Sequence, residues 1–384
     1  MTTLYLHIGM QKTGTTSLQA VVRRNAAWFR ARRVAVPTFL GPNHGDALLA
    51  LYEPTAGLED RLAAAGRGFL VRWRDRIGTR LLAFLADAKR RGDDVLLTGE
   101  AMTTLSADGW RRLEAALGPG FDRIVVVAFV RPPAAFADSV GQERLVNGRG
   151  LSDLVARPPR AAYRRFFRPA IGCFGESAVR FRLFHRDHFR NGSLLETFLA
   201  AIDRAGSGEP PRDGPRLNAS VSLPAGKLLA CLNDAMLARR SPAGLPPPVL
   251  VRLREGAYRR AIADLLARDT DRLVWPAAIL SRFEAIPGPP FRLPAEVWQR
   301  TAAIGARDVL WMSERIGLDV AALEADRRER PDLAAFGAFD PAETASISAT
   351  LAAGPPTWRY LAERHLTRGL ATGGALLRLV GRPS

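Results

Sequence analysis

The chain has 384 residues, a formal net charge of +17 and 47% hydrophobic residues, a composition typical of a soluble globular protein that is long enough for a large core. No apolar stretch reaches the roughly 18 residues of a membrane-spanning helix, and we expect no signal peptide because no basic region followed by an apolar one opens the chain. Cys173 and Cys231 provide neither a disulfide framework nor a metal-binding spacing, so we expect a metal-free cytoplasmic protein.

The first predicted elements are a short apolar strand at residues 3–9 and a helix at residues 15–32. A glycine-bounded turn that contains Lys12 joins them. The polar side chains in and after this turn, which can donate hydrogen bonds to a ligand, are those of Gln11, Thr13, Thr15, Thr16 and Ser17. Backbone N–H groups and the positive end of a helix dipole favour an anion at such a turn. We therefore predict an anion-binding loop.

The segment matches the phosphate loop of nucleoside triphosphatases only in part. The spacing of Gly9 and Gly14 fits the first part of the pattern G-x-x-x-x-G-K-[ST] of nucleoside triphosphatases. Those enzymes, however, place a lysine after the second glycine to hold the outer phosphates, and then a hydroxyl that binds Mg²⁺. In this chain Thr15 and Thr16 follow Gly14, and Lys12 lies inside the loop. A glycine- and threonine-rich turn that binds no ligand is a further alternative.

Strand and helix patterns then alternate, which indicates a parallel sheet covered by helices on both faces. The predicted elements are a short strand at 34–36, a loop at 37–57, helices at 59–91, a strand at 94–98, a helix at 107–117, a strand at 123–130 and a helix at 132–146. Ligands of such sheets bind at the carboxyl ends of the strands. Arg131 ends one of these strands, and Ser139 follows two helical turns later, so the two side chains can hold one phosphate from two sides.

These motifs together resemble those of a known enzyme family. The run Lys12–Ser17 resembles the 5′-phosphosulfate loop of sulfotransferases that use 3′-phosphoadenosine 5′-phosphosulfate (PAPS), and Arg131 and Ser139 have the spacing of that family's 3′-phosphate site. A predicted strand at 178–184 and helix at 194–202 are similar to elements that follow this site in bacterial carbohydrate sulfotransferases. A later segment is similar to their Asn-x-Ser segment near the nucleotide, and its residues are Arg216, Asn218 and Ser220.

The resemblance implies transfer of a sulfuryl group from PAPS to a hydroxyl of a small-molecule, carbohydrate or glycolipid acceptor, with adenosine 3′,5′-bisphosphate as the product. Sulfuryl transfer is an in-line displacement, so it needs a cation on the leaving phosphate and a base for the acceptor proton. Lys12 is the expected cation. For the base we prefer His44, whose unperturbed pKa suits neutral pH, and keep Glu100 as the alternative base or as a residue that orients the acceptor. We expect His7 to be a packed histidine or part of the ligand-side wall.

The fold expected from these patterns is α/β, with a P-loop-like central parallel β-sheet flanked by helices and a mainly helical C-terminal extension. We divide the chain into a PAPS-binding domain at 1–225 and a helical region at 226–384 that we expect to pack on the first domain. Helices are predicted there at 250–268, 294–316 and 341–353. Segments rich in proline and glycine at 208–215 and 241–248 are typical of linkers.

The basic charge has three explanations: nucleic-acid binding, contact with an anionic membrane surface, and handling of a polyanionic donor or acidic glycan. A run at 157–168 interleaves arginines with aromatic residues, but a solvated basic surface explains it equally well. No nucleic-acid-binding motif is present, so we expect no nucleic-acid partner and allow peripheral contact with the inner membrane face.

An ATP-dependent kinase and a non-catalytic nucleotide-binding protein stay open as alternative functions, and the oligomeric state is not predicted.

Overall fold

The computed structural model describes residues 1–41, 43–53, 68–206, 211, 221–240, 242, 244–267, 273–327 and 329–353. Its centre is a five-stranded, all-parallel sheet. The strands in chain order are β1 (Thr3–Gly9), β2 (Val34–Ala35), β3 (Asp94–Thr98), β4 (Arg123–Val130) and β5 (Val179–Leu183). Their order across the sheet is β2-β3-β1-β4-β5. The parallel sheet expected from the alternating pattern is thereby confirmed.

Helices cover both faces of this sheet, as expected. The helices before β5 are α1 (Thr15–Arg24), α2 (Ala26–Ala31), α3 (His44–Tyr52), α4 (Gly68–Arg91), α5 (Ala107–Leu117), α6 (Pro133–Val146), α7 (Leu151–Ala156) and α8 (Tyr163–Phe174). The later ones are α9 (Leu194–Ala201), α10 (Leu223–Leu237), α11 (Pro247–Leu253), α12 (Gly256–Leu266), α13 (Ala277–Glu284), α14 (Ala295–Ile316), α15 (Leu333–Gly337) and α16 (Pro341–Ala352). Short 3₁₀ turns join several of them.

Side-chain alternation along the strands builds one core on each face. In β1, Leu4 and Leu6 point into a core formed with α3, α4, α5 and α8, whereas Tyr5 points into a core formed with α1, α2 and α9. β1 lies between β3 and β4, with Leu6 paired to Leu97 on one side and to Val126 on the other. Since β1 is central and buried on both faces, the loop that leaves its carboxyl end has a rigid base.

A third core lies among the helices that follow β5. It contains residues of α10 to α16 and also Ala137 and Leu145 of α6. Phe136 of the same helix packs in the sheet core, to which Met312 of α14 also contributes. The boundary expected at 225/226 falls inside α10, and α6 belongs to both the sheet core and the helical core.

Three segments differ from the sequence prediction. The expected loop at 37–57 contains α3, because the Asn43 side chain accepts a hydrogen bond from the Gly45 N–H and caps a helix that begins at His44. The expected helix at 15–32 is divided at Asn25, whose side chain donates to the Val21 carbonyl. The expected helix at 250–268 is likewise two helices, α11 and α12. None of the helices that the structure describes is both long and apolar enough to cross a membrane.

Candidate functional site

The site lies where the carboxyl ends of β3, β1 and β4 meet. Because these strands are parallel neighbours, the loops that follow them emerge side by side at one edge of the sheet. They carry Lys12 after β1, Glu100 after β3 and Arg131 after β4, and α3 contributes His44 at the same edge. The sheet order therefore brings together residues that are far apart in the sequence.

The loop after β1 is compact and has a fixed shape. Lys12 has a positive φ of 66°, a conformation that non-glycine residues adopt at a cost of about 1 kcal/mol or more. The fully buried Thr13 donates its hydroxyl hydrogen to the Met10 carbonyl over 2.6 Å. A side chain at Gly9 would collide with Thr15, because a Cβ would lie 1.8 Å from Thr15 Cγ2. Because Thr13 donates its only hydroxyl hydrogen to Met10, it stabilises the shape of the loop and cannot donate to a ligand.

Helix α1 begins directly after this loop. Gly14 precedes it with a φ of 70° and has no side chain to cap the helix, and the first turn contains no acidic residue. The half-exposed Thr16 and Ser17 lie in that first turn. The N–H groups of a first turn lack intrahelical acceptors and carry partial positive charge. This arrangement suits an anion held by backbone N–H groups and hydroxyls.

Arg131 connects the loop to β4 and to α8. Its Nη1 donates to the backbone carbonyl of Lys12 over 2.7 Å, its guanidinium lies 5.7 Å from the centre of the Phe184 ring, and its own carbonyl accepts from the hydroxyl of the buried Tyr163. These contacts fix Arg131 beside the Lys12 loop. Ser139, the other predicted contact of the same phosphate, is half-exposed on α6.

Glu100 lies on the other side of the loop. Its Oε2 accepts a hydrogen bond of 2.5 Å from the Thr15 hydroxyl. Burial raises the pKa of Glu100 to about 7, an effect opposed by the Thr15 hydrogen bond and the charge of Lys12 and reinforced by the nearby carboxylates of Glu143 and Asp46. A carboxyl group in this range can accept or release a proton near neutral pH.

His44 is packed rather than open to a ligand. The ring is 2% exposed, and its Nδ1 accepts a hydrogen bond of 3.1 Å from the backbone N–H of Thr98. Burial lowers the pKa of His44 to about 3, so the ring is neutral and carries its proton on Nε2. With its one lone pair occupied, His44 connects α3 to β3 and is poorly placed to accept a proton.

His7 is packed in a similar way. Its Nδ1 lies 2.8 Å from the Thr98 hydroxyl, and its ring contacts Phe129 and Phe198 edge to face. Burial lowers its pKa to about 4. Its Nε2 has no hydrogen-bond partner in the part of the chain that the structure describes. These contacts agree with the packed histidine expected from the sequence.

Two acidic residues of the site were missed in the sequence. Glu143 lies on α6 with its Oε1 3.3 Å from Lys12 Nζ, and Asp46 lies in the first turn of α3 with a pKa raised by burial to about 6. The spacing of Glu143, four residues after Ser139, is the signal that could have revealed it, because residues i and i+4 share one helix face. Asp46 gave no signal, because its helix was expected to be a loop.

The structure leaves part of the predicted site undescribed. Three of the expected nucleotide-binding residues lie outside the described residues, namely Arg216, Asn218 and Ser220. Gln11 is exposed at the start of the loop.

Within the described ranges, no group of three or more histidine, cysteine or acidic side chains could hold a metal ion. No protein-family model, curated protein or solved structure matches the chain.

Proposed function

We propose that this chain is a PAPS-dependent sulfotransferase with a P-loop-like fold, which transfers a sulfuryl group to a hydroxyl of a carbohydrate or glycolipid acceptor. The observation that carries the proposal is the convergence of Lys12, Arg131 and Glu100 around the N-terminus of α1. A cation, an anion-binding helix end and a carboxyl with a near-neutral pKa are the parts that sulfuryl transfer requires.

The donor contributes the activated sulfuryl group, and the chain's residues hold its two anionic ends. In this proposal the first-turn N–H groups of α1, with Thr16 and Ser17, bind the 5′-phosphosulfate, and Lys12 stabilises the negative charge that develops on the leaving phosphate. Arg131 and Ser139 bind the 3′-phosphate. Thr13 has a shaping role instead, because its hydroxyl hydrogen is bound within the loop.

For the general base we now favour Glu100 over His44. Glu100 has a pKa of about 7 and lies against Thr15 of the loop. His44 uses its only basic nitrogen to accept from a backbone N–H and has a pKa of about 3. A general base works best when its pKa is near the working pH, so Glu100 is assigned the acceptor proton and His44 a structural role.

A thermal-shift titration with adenosine 3′,5′-bisphosphate, run in parallel with ATP plus Mg²⁺, tests the donor site. A ligand at 100 times its dissociation constant adds about 2.7 kcal/mol of stability. We expect stabilisation by the bisphosphate without metal, and its loss in Lys12→Ala. Lys89→Ala is the matched control, since Lys89 precedes β3 at the opposite edge of the sheet and bonds to the Pro119 carbonyl.

Two outcomes would replace the proposal. Stabilisation only by ATP with Mg²⁺ would favour the kinase-type phosphate loop, for which the Gly9 to Gly14 spacing is the supporting observation. Binding of the bisphosphate without transfer of ³⁵S from labelled PAPS to any member of a glycan and glycolipid panel would favour a non-catalytic nucleotide-binding protein.

A further inference from the structure

Lys12 already has an anionic partner within the chain. Its Nζ lies 3.3 Å from Oε1 of Glu143, and the two side chains are 27% and 38% exposed. Glu143 projects from α6 one turn after Ser139, on the same face of the helix. The ion pair therefore joins the anion-binding loop to the helix that carries the second candidate phosphate contact.

The backbone of α6 is held in place at its N-terminal half. The N–H groups of Ala134 and Ala135 donate to the two carboxylate oxygens of Glu324, over 2.6 and 2.5 Å. One turn later the buried Asp138 accepts a hydrogen bond of 2.6 Å from Arg330. With the helix fixed in this way, the pair separates by rotation of the Glu143 or Lys12 side chain and not by displacement of α6.

We propose that Glu143 is an internal counterion of Lys12, which it holds over the loop in the donor-free protein and releases to the 5′-phosphosulfate group of the donor. The inference rests on the proposed function, because it supposes that a phosphosulfate binds beside Lys12. Glu143 is then a positioning residue of the site, and its carboxylate competes with the donor's phosphosulfate for the Lys12 ammonium group.

The energetics of the pair suit such an exchange. Half-exposed ion pairs are weak, so this contact is easily broken by a ligand that offers more than one anionic oxygen. A carboxylate that stays within one Debye length of the ligand also repels it, because charges that close are not fully screened. Among the described residues, Glu100 also interacts electrostatically with Lys12, and its partly ionised carboxyl adds to this repulsion, as does Asp46 beside Glu100. Arg131, which donates to the Lys12 carbonyl, opposes it.

The first test is the affinity for adenosine 3′,5′-bisphosphate, measured by calorimetry on the full chain. We expect Glu143→Gln to bind about two- to fivefold more tightly than the wild type, the range expected of a half-exposed ion pair. Glu114→Gln, which changes an exposed glutamate on α5, should leave the affinity unchanged. Equal or weaker binding by Glu143→Gln, with a wild type that binds, would overturn the inference and leave the proposed function standing.

The second test observes the ion pair itself. The sequence contains only three lysines, Lys12, Lys89 and Lys227, so reductive ¹³C-methylation gives few NMR signals, and Lys12→Arg identifies that of Lys12. We expect the Lys12 signal alone to move in ligand-free Glu143→Gln, and to move in the wild type when the bisphosphate is added. An unchanged Lys12 signal in Glu143→Gln would overturn the inference even without ligand. A wild type that does not bind the bisphosphate would overturn the proposed function, and the anion exchange with it.

Discussion

Burial moves the pKa values of Glu100 and His44 in opposite directions at one edge of the sheet. It raises the pKa of Glu100 to about 7 and lowers that of His44 to about 3, because a low-dielectric environment disfavours the charged form of either group. Near neutral pH, Glu100 therefore exists in both protonation states, whereas His44 is neutral. Only Glu100 therefore changes its charge near neutral pH.

If the proposed function holds, the titration of Glu100 gives sulfuryl transfer a characteristic pH profile. A base acts in its deprotonated form, so activity should rise with pH through about 7, where the Glu100 carboxyl loses its proton. Glu100→Gln should lower kcat by roughly 10²- to 10⁴-fold while bisphosphate binding persists. Initial rates of ³⁵S transfer between pH 5.5 and 8.5 provide the measurement.

His44→Asn is the matched control for this prediction, because its side-chain oxygen can replace Nδ1 as the acceptor of the Thr98 N–H. If Glu100 is the base, the folded His44→Asn protein keeps the rising profile and most of its rate. A His44→Asn variant that folds and binds bisphosphate but transfers nothing, beside an active Glu100→Gln, would return the role to His44.

The sequence could identify these two residues as candidates but could not rank them. The preference for His44 came from its pKa in water, and nothing in the segment around it revealed that the ring would be buried against β3. Lys12 and Arg131 were easier to identify, because a lysine in a glycine-bounded turn and an arginine at a strand end are local patterns. The spacing of Glu143 from Ser139 places both side chains on one helix face, but the contact of Glu143 with Lys12 depends on the position of α6 beside the loop, which has no local signal.

The start of α3 packs directly against the turn after β3. Gly45 and Gly99 meet there backbone to backbone: a Cβ on Gly99 would lie 2.2 Å from Gly45 N and 2.3 Å from its Cα. The φ of Gly99 is −168°, an extended conformation open to any residue, so the requirement for glycine is one of space. This contact sets the position of Glu100, the next residue, and of His44.

Gly99→Ala should therefore destabilise the chain by about 1–3 kcal/mol, because two stretches of backbone cannot give way as a flexible side chain can. Urea denaturation at pH 7 measures the effect. Gly305→Ala is the control, since nothing lies within 4 Å of a Cβ at that position of α14 and alanine favours a helix by up to about 1 kcal/mol. Equal stability of the two variants would contradict the close contact.

Elements with strong periodicity were predictable to within a residue. The strands at 3–9, 94–98 and 123–130 and the helix at 107–117 have the bounds expected from their apolar runs. The helix α3 was missed because Asn43 and Gly45 resemble loop residues in isolation, although the first caps the helix and the second permits its close packing. The helix at 132–146 was predictable, but its contacts with Glu324 and Arg330, about 190 residues later in the sequence, have no local signature.

The segment around Glu324, about 190 residues later in the sequence, fixes the start of α6. The buried Glu324 carboxylate accepts from two N–H groups in the first turn of that helix, where a negative charge also interacts favourably with the helix dipole. Arg330 binds Asp138 a turn later. The C-terminal part of the chain thereby supports the helix that carries Ser139 and Glu143.

Glu324→Gln should destabilise the chain by about 1–3 kcal/mol, since an amide has one acceptor oxygen for two donors and no charge. Urea denaturation is the measurement, and Glu314→Gln, an exposed glutamate on α14, should change the stability by less than about 0.5 kcal/mol. A Glu324→Gln protein as stable as the wild type would show that these two hydrogen bonds contribute little.

The place of α6 between two cores also bears on how the protein opens. Phe136 packs in the sheet core, and Ala137 and Leu145 pack among the helices that follow β5. The two cores therefore cannot separate from each other without exposing one face of α6 to solvent. Cooperative units of unfolding follow such shared packing. The amides of α6 should therefore be among the slowest to exchange with deuterated solvent, and a fragment ending near residue 225 should behave as a partly opened protein rather than as an autonomous domain.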